Sequence, residues 1–477
     1  MKISLKNVGM LDEAEFEVGD LTIICGENNT GKTYATYSLY GFLNYLKHYI
    51  GNIFEILRRN QEKISCTEYS SIEISVDNFK SIALDIEKDL ERIYNRNLFS
   101  VFAGKGSDFS NSSFKSSFIQ DFINKNNKEK IDFFSRSEMF NIEITDNVFI
   151  FDCTKSKDKF NKDMINDTEF RKINIAANVF LSLIQYSIFN PFILSTERTG
   201  ASMFYKELDV NKNEILDEIS RAKERDIKKI TTKLLLSRYS RYPEPVKDNI
   251  YFIRDISEVI KADSYIVSEK IELHSKIIKL LQDIVGGKYI VSNESIEFVP
   301  GAKTRIMKNH KKISIQRASS SVRSLLMLNY YVLNVAQKGD ILIIDEPELN
   351  LHPNNQILLG RLLTLLVNAG IKVFITTHSD YIVREIGNCI MLNNLSDEQI
   401  SKIKEYTNDY KLQSNKVKVY LAENYKGKNK LSAVKVSQEQ GIFTETFNEA
   451  IDRQNENQGL LYQQVIEAHR NNNNDKQ

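Results

Sequence analysis

Apolar positions at the start of the chain alternate with polar ones over residues 3–8 and 14–18, the period of two expected of half-buried strands. They then fuse into the unbroken run Leu21-Thr-Ile-Ile-Cys25, which predicts a strand buried on both faces. Beyond Thr33 the apolar positions of YATYSLYGFLNYLKHYI recur every three to four residues, so a loop closing at Thr33 opens a helix. Residues 50–190 mix a helical stretch, Val76 to Tyr94, with polar loops at Gly104 to Ser117 and Asn124 to Lys130. Residues 205–285 read as charge-rich helix, broken at Arg241 to Pro245.

From Lys288 the period of two returns in KYIVSNESIEFV and KKISIQR, a predicted hairpin whose connector holds Pro300 and Gly301. A helix follows over Ser320 to Ala336, then a buried strand over 340–345, an amphipathic helix over 355–368 and a strand over 371–376. That alternation predicts an α/β architecture with a parallel sheet. The tail carries two alternating runs near 416–421 and 431–436, an amphipathic helix from about Thr444, and a polar end in RNNNNDKQ. No repeat of fixed period is visible.

Composition narrows the picture. The 477 residues are 42% hydrophobic and 27% charged, enough to bury a sizeable core, and only 25 of them are Gly or Pro, which leans toward helix and excludes low-complexity classes. Lys and Arg number 64 against 63 Asp and Glu, so no global positive field draws the chain to nucleic acid or a membrane surface. Cys25, Cys66, Cys153 and Cys389 lie far apart with no CxxC, which supports neither a disulfide framework nor a zinc site and fits a reducing, cytoplasmic setting. The first residues lack the apolar core of a signal peptide, and Val179 to Leu194 is too short and polar to span a bilayer.

Candidate chemistry concentrates in four segments. GENNTGKT, Gly26 to Thr33, satisfies G-x-x-x-x-G-K-[ST] between a predicted strand and helix. Its glycines let backbone N–H groups at Gly26, Asn28, Asn29, Thr30 and Gly31 face phosphates, Lys32 reaches the β/γ oxygens, and the Thr33 hydroxyl ligates Mg²⁺. ILIIDEPELNLHP, Ile341 to Pro353, ends a buried strand in two carboxylates, Asp345 to hold Mg²⁺ through water and Glu346 to orient and deprotonate the attacking water. His378, in FITTHSD at the end of the next strand, is expected beside the same sheet edge, where a neutral imidazole bonds the γ-phosphate or that water. The hydroxyls of Ser319, Ser320 and Ser321 open a helix. They are either a cap with spare serines or a second phosphate-binding N-terminus presented to a nucleotide on another subunit.

In this order GENNTGKT, ASSSVR, LIIDEPELNLHP and ITTHSD resemble the ABC-type ATPases of the SMC, RecF and OLD class. Ser319 takes the place of the signature serine, and Leu349 to Pro353 that of the D-loop. Ser320 and Ser321 stand where that class has glycines, and no Q-loop glutamine is evident. The resemblance implies an ABC-type P-loop head built from the two ends of the chain, with ATP and Mg²⁺ as cofactors and a homodimer or higher assembly sandwiching the nucleotide. It divides the chain into 1–50 and 288–390 as the head, 51–287 as a mainly helical insertion with a return to the head near 190–200, 391–468 as an α/β extension and 469–477 as a disordered tail. ILSTERTG, Ile193 to Gly200, resembles a strand followed by Arg in OLD-like ATPases of phage-defence operons, so Arg198 either faces the nucleotide or partner or makes a surface ion pair. Compact members without a fused nuclease resemble the ATPase subunits of Septu-type and PARIS-type anti-phage systems, which implies a sensor acting through a separately encoded effector. The alternatives are a RecF-like clamp on DNA and a nucleotide-gated scaffold with little turnover. The basic connector Lys303 to Arg317, with His310, is either a DNA contact or a solvated hairpin tip.

Overall fold

A computed structural model of the chain describes residues 1–47, 52–68, 71–118, 131–134, 139–144, 148–153, 168–187, 189–209, 242–292, 295–301, 311–443 and 453–466. Its centre is a nine-stranded sheet with the order Pro191–Leu194, Ile341–Asp345, Lys372–Thr377, Leu21–Gly26, Val417–Tyr425, Lys428–Val434, Leu11–Glu17, Lys2–Val8, Ser113–Ser117. The first five strands run parallel. A hairpin turns the chain antiparallel at Lys428–Val434, and antiparallel pairing closes the far edge.

Alternation along the parallel strands builds two cores, one on each face of the sheet. Ile341, Ile343 and Phe374 point into a core that includes Leu39, Phe42 and Leu43 of the helix Lys32–Lys47. Leu342, Ile344, Val373 and Ile375 point the other way, against Leu325, Leu326 and Leu328 of the helix Ser320–Tyr330 and Leu362, Leu363 and Leu366 of Pro353–Asn368. A strand covered on both faces has no polar side to show water, which is why these segments read as unbroken apolar runs.

The segment 51–287 holds sheet as well as helix. Helices span Ile53–Arg59, Val76–Val101, Thr168–Ser187, Glu244–Arg254 and Glu272–Val285. Beside them lies a five-stranded antiparallel sheet ordered Ser65–Glu68, Ser71–Ser75, Val148–Cys153, Met139–Ile144, Ile131–Phe134. Phe79 anchors it, with ring centroids 4.7 Å from Phe149 and 4.9 Å from Phe180. These strands are short and separated by polar Ser- and Lys-rich stretches, so their period of two is too brief to stand out in sequence. Asn124 to Lys130, residues 303–310 of the basic connector and 469–477 lie outside the described residues. The helix over Ser320 to Ala336 is α-helical to Tyr330 and closes in a wider π turn, Tyr331–Val335.

The segment 391–468, expected as an extension, supplies two strands to the middle of the central sheet. Val417–Tyr425 pairs with Leu21–Gly26 from Val417↔Leu21 to Ala422↔Gly26, and Lys428–Val434 bridges to Leu11–Glu17. A helix over 453–466 lies exposed. Among the described residues no helix is long and apolar enough to cross a membrane. Ending the chain at residue 390 would strip both neighbours from between Leu21–Gly26 and Leu11–Glu17. Such a protein is expected to lose its cooperative thermal melt, and a melt like that of the full chain would refute the integral placement of these strands.

Candidate active site

Strand register decides which residues meet. Thr377 pairs with Cys25 and Asp345 with Thr376, so three parallel strands end together, and the turns that follow them share one sheet edge. Binding sites in open parallel sheets form at this carboxyl edge. Gly26–Thr33, Asp345–Glu346 and His378 all lie there, although 313 positions separate Lys32 from Asp345.

The glycine loop is shaped by the strands around it. Gly26 has φ +134°, and a Cβ there would lie 2.1 Å from the carbonyl oxygen of Ala422. Gly31, at φ +92°, would drive a Cβ to 2.8 Å from Leu11 Cβ. The Asn429 amide braces the loop from outside, donating to the carbonyls of Met10 (2.7 Å) and Asn29 (3.2 Å). Within it the Thr30 hydroxyl donates to the Glu27 carbonyl at 2.8 Å, while Asn28 and Asn29 are exposed. Lys32 is buried and its ammonium donates to the carbonyls of Gly26 and Glu27. Burial lowers the Lys32 pKa, and the nearby charges of Glu346 and Asp345 pull it back up.

Asp345 accepts from the Thr33 hydroxyl at 3.0 Å and, through its other oxygen, from Thr376. It is 1% exposed, and burial pushes its pKa from the ordinary 3.8 up to about 6 against the pull of both hydroxyls. Glu346 takes φ +52°, and its backbone N–H donates to the Thr376 carbonyl at 3.1 Å. His378 Nε2 lies 3.5 Å from Glu346 Oε1 and holds that carboxyl below its usual range. Glu348 was not anticipated. Its two oxygens accept from the Thr377 hydroxyl (2.8 Å) and the His378 backbone N–H (2.6 Å), which fixes where the imidazole starts. Thr376 was missed as well. Both signals were present, as a second carboxylate in DEPE and a hydroxyl pair before the histidine, but only contact distinguishes them from turn residues.

Arg198 neither faces solvent nor makes a surface ion pair. Its guanidinium is buried and donates to the carbonyls of Ser195, Asp345 and Glu346. The serine run opens a helix as expected. Ser319 caps it, accepting from the Val322 N–H at 3.4 Å, and lies 2.9 Å from the Ser321 hydroxyl, while Ser320 accepts from Arg323 at 3.3 Å. Among the described residues no hydrogen bond joins Ser319–Ser321 to Gly26–Thr33, Asp345 or Glu346.

These donors suit a nucleoside triphosphate with magnesium. Gly26 and Gly31 leave room that no side chain can share, Lys32 supplies a cation, and the Thr33 hydroxyl and Asp345 carboxylate are the adjacent hard oxygens that Mg²⁺ takes. The fold and site together define a P-loop ATPase head assembled from both ends of the chain. A family model described as an AAA ATPase domain, AAA_15, matches residues 1–383, and the chain belongs to that family. No curated protein matches the sequence. Among solved structures, the SMC head bound to the C-winged helix domain of ScpA shares 11% identity, covering 91% of this chain and 97% of that one, with a TM-score of 0.33. The Smc head domain with an extended coiled coil, from Pyrococcus furiosus, shares 12% over 96% of this chain and 98% of that one at 0.29. The SMC head domain of Thermotoga maritima shares 11% over 91% and 98% at 0.29.

The raised pKa of Asp345 carries a testable sign. Folding favours its protonated form, so its contribution to stability is full below the unfolded value and is lost as pH rises through about 6. Without nucleotide, Asp345→Asn should therefore be more stable than wild type at pH 7.5, by on the order of 2 kcal/mol. The gap should narrow as pH falls through about 6 and close only below about 3.8, and the variant should gain no melting temperature from ATP with Mg²⁺. Equal melting of the two proteins at pH 7.5 would contradict the cost assigned to the buried charge.

Proposed function

We propose that the chain binds and hydrolyses ATP, and that its heads associate around the nucleotide. One observation carries this reading: Lys32, Thr33, Asp345, Glu346 and His378 converge on one sheet edge, with Thr33 Oγ1 3.0 Å from an Asp345 oxygen. Backbone N–H groups of Gly26–Thr33 and the start of the helix Lys32–Lys47 would hold the phosphates, and Thr33 with Asp345 would hold Mg²⁺. When bound, the ion supplies charge neutralisation on the terminal phosphates. Glu346 stays ionised beside His378, so its carboxylate is ready to orient a water and accept its proton. Lys32 turns from the Gly26 and Glu27 carbonyls to the phosphate oxygens, exchanging neutral acceptors for charged ones. His378 keeps Glu346 aligned and limits its protonation.

Among the described residues the hydroxyls of Ser319–Ser321 bond only locally, and they sit at the start of the helix Ser320–Tyr330, which supports a role toward the nucleotide of a second copy. Each site then needs two chains, so turnover is tied to association. By the resemblance to compact OLD-like ATPases, the hydrolytic cycle serves an anti-phage sensor that signals to a separately encoded effector.

Glu346→Gln should bind ATP as tightly as wild type while hydrolysis falls by about 10² or more, measured as phosphate release. A turnover unchanged by this substitution would identify a nucleotide-gated scaffold instead. Mixing two inactive variants tests the shared site. Lys32→Ala and Ser320→Glu each spoil both sites of their own dimer, yet a mixed dimer regains one intact site. Mixing should restore a substantial part of the wild-type rate, and a mixture as inactive as its components would sink the two-chain site.

A further inference from the structure

Arg198 is held in an unusual way for a charged residue. It is 2% exposed and forms no ion pair among the described residues. Burying a guanidinium forfeits its hydration, so its donors must be used well. They go to main-chain oxygens: Nη1 to Ser195 (2.9 Å) and Asp345 (2.8 Å), Nη2 to Glu346 (2.6 Å). Two successive carbonyls, of Asp345 and Glu346, thus converge on one planar group. That requires the chain to reverse between them, and Glu346 adopts φ +52°, a left-handed conformation that is disfavoured outside glycine.

The segment carrying Arg198 also touches elements that flank the site. Glu197 accepts from the Tyr37 hydroxyl at 3.1 Å, on the helix that follows the glycine loop. The Thr199 hydroxyl accepts from the Asn350 amide at 3.4 Å. Ser202 Oγ lies 2.8 Å from the Arg198 carbonyl and 3.1 Å from the Arg323 carbonyl, and Arg323 belongs to the helix that begins at Ser320. The Ser195 N–H donates to Asn249 at 2.9 Å, which anchors the segment's start.

We propose that Arg198 is a positioning residue. It holds the Asp345–Glu346 turn in the conformation that aims the Glu346 carboxylate, and its helix, Arg198–Phe204, ties that turn to the serine-bearing helix. The proposal deepens the reading of Glu346 as the hydrolytic base and rests on it. A purely electrostatic role, offsetting Asp345, Glu346 and Glu348, would survive replacement by another cation. Positioning would not, because lysine brings one nitrogen where the guanidinium brings two held in a rigid plane, and cannot reproduce the geometry that meets the Ser195, Asp345 and Glu346 carbonyls together.

The test compares wild type, Arg198→Lys and Glu346→Gln as full chains, reading nucleotide affinity by titration with a fluorescent ATP analogue, kcat by phosphate release, and thermal melting. Arg198→Lys should keep its affinity within about threefold and its melt within a few degrees while kcat falls roughly 10- to 100-fold. A wild-type kcat in Arg198→Lys, or a fall in affinity matching the fall in kcat, overturns the proposal. Should Arg198→Lys fail to melt cooperatively, Ser202→Ala carries the test, since it keeps the buried charge and removes the tie to Arg323. A severalfold loss of kcat at unchanged affinity supports the link, and an unchanged kcat overturns it. Wild-type turnover insensitive to Glu346→Gln would overturn the hydrolase reading and this proposal together. Turnover that needs Glu346 but not Arg198 would overturn this proposal alone.

Discussion

Parallel pairing of Leu21–Gly26 with Lys372–Thr377 on one side and Val417–Tyr425 on the other is the constraint on which the molecule depends. Parallel neighbours cannot be joined by a tight turn, so each must be reached by a long crossover. The chain uses that freedom fully, inserting several hundred residues between the glycine loop and the acidic strand. With Ile341–Asp345 paired in turn on Lys372–Thr377, the ends of three strands coincide, and with them the Thr33 hydroxyl and the Asp345 carboxylate. It also explains Gly26 twice over: the loop needs φ +134°, and the neighbouring Ala422 carbonyl leaves no room for a Cβ.

Around that edge the fold gathers charge that burial disfavours. Asp345 is driven toward its protonated form, Lys32 toward its neutral one, and Arg198 down to about 10, each by loss of water. Their proximity limits these shifts, since the carboxylates of Asp345, Glu346 and Glu348 favour both cations. Such a cluster stores unfavourable desolvation that a polyanion with its metal is suited to relieve. Thr33, Thr376 and Thr377 hold the carboxylates by hydroxyl hydrogen bonds, so the arrangement does not rely on the phosphates to exist.

The insertion and the tail have different relations to the site. The five-stranded sheet, built around Phe79, Phe149 and Phe151, packs into the core on the side of the helix Lys32–Lys47. The strands Val417–Tyr425 and Lys428–Val434 lie inside the head and brace the glycine loop through Asn429. A segment distant in sequence from every motif is thus part of the loop's support.

Much of the central sheet was legible in the amino-acid order alone. Runs such as Ile341–Ile344, and Leu21–Cys25 apart from the buried Thr22, are apolar because both faces are buried, and GENNTGKT, DEPE and TTHSD sit at strand ends where local chemistry marks them. Lys32, Thr33, Asp345, Glu346 and His378 were readable for that reason: each belongs to a short motif whose spacing is set by one strand and one turn. Contacts across the fold were not readable. The joining of the small antiparallel sheet through Ser71–Ser75 and Val148–Cys153, the central placement of 417–434, the carbonyl-bound Arg198 and the clasp of Glu348 on His378 all depend on partners about thirty or more residues away in the chain. Short-range periodicity reports which side of an element is buried. Which element buries it, and which carbonyl a buried cation finds there, is decided only when strands from both ends of the chain pair.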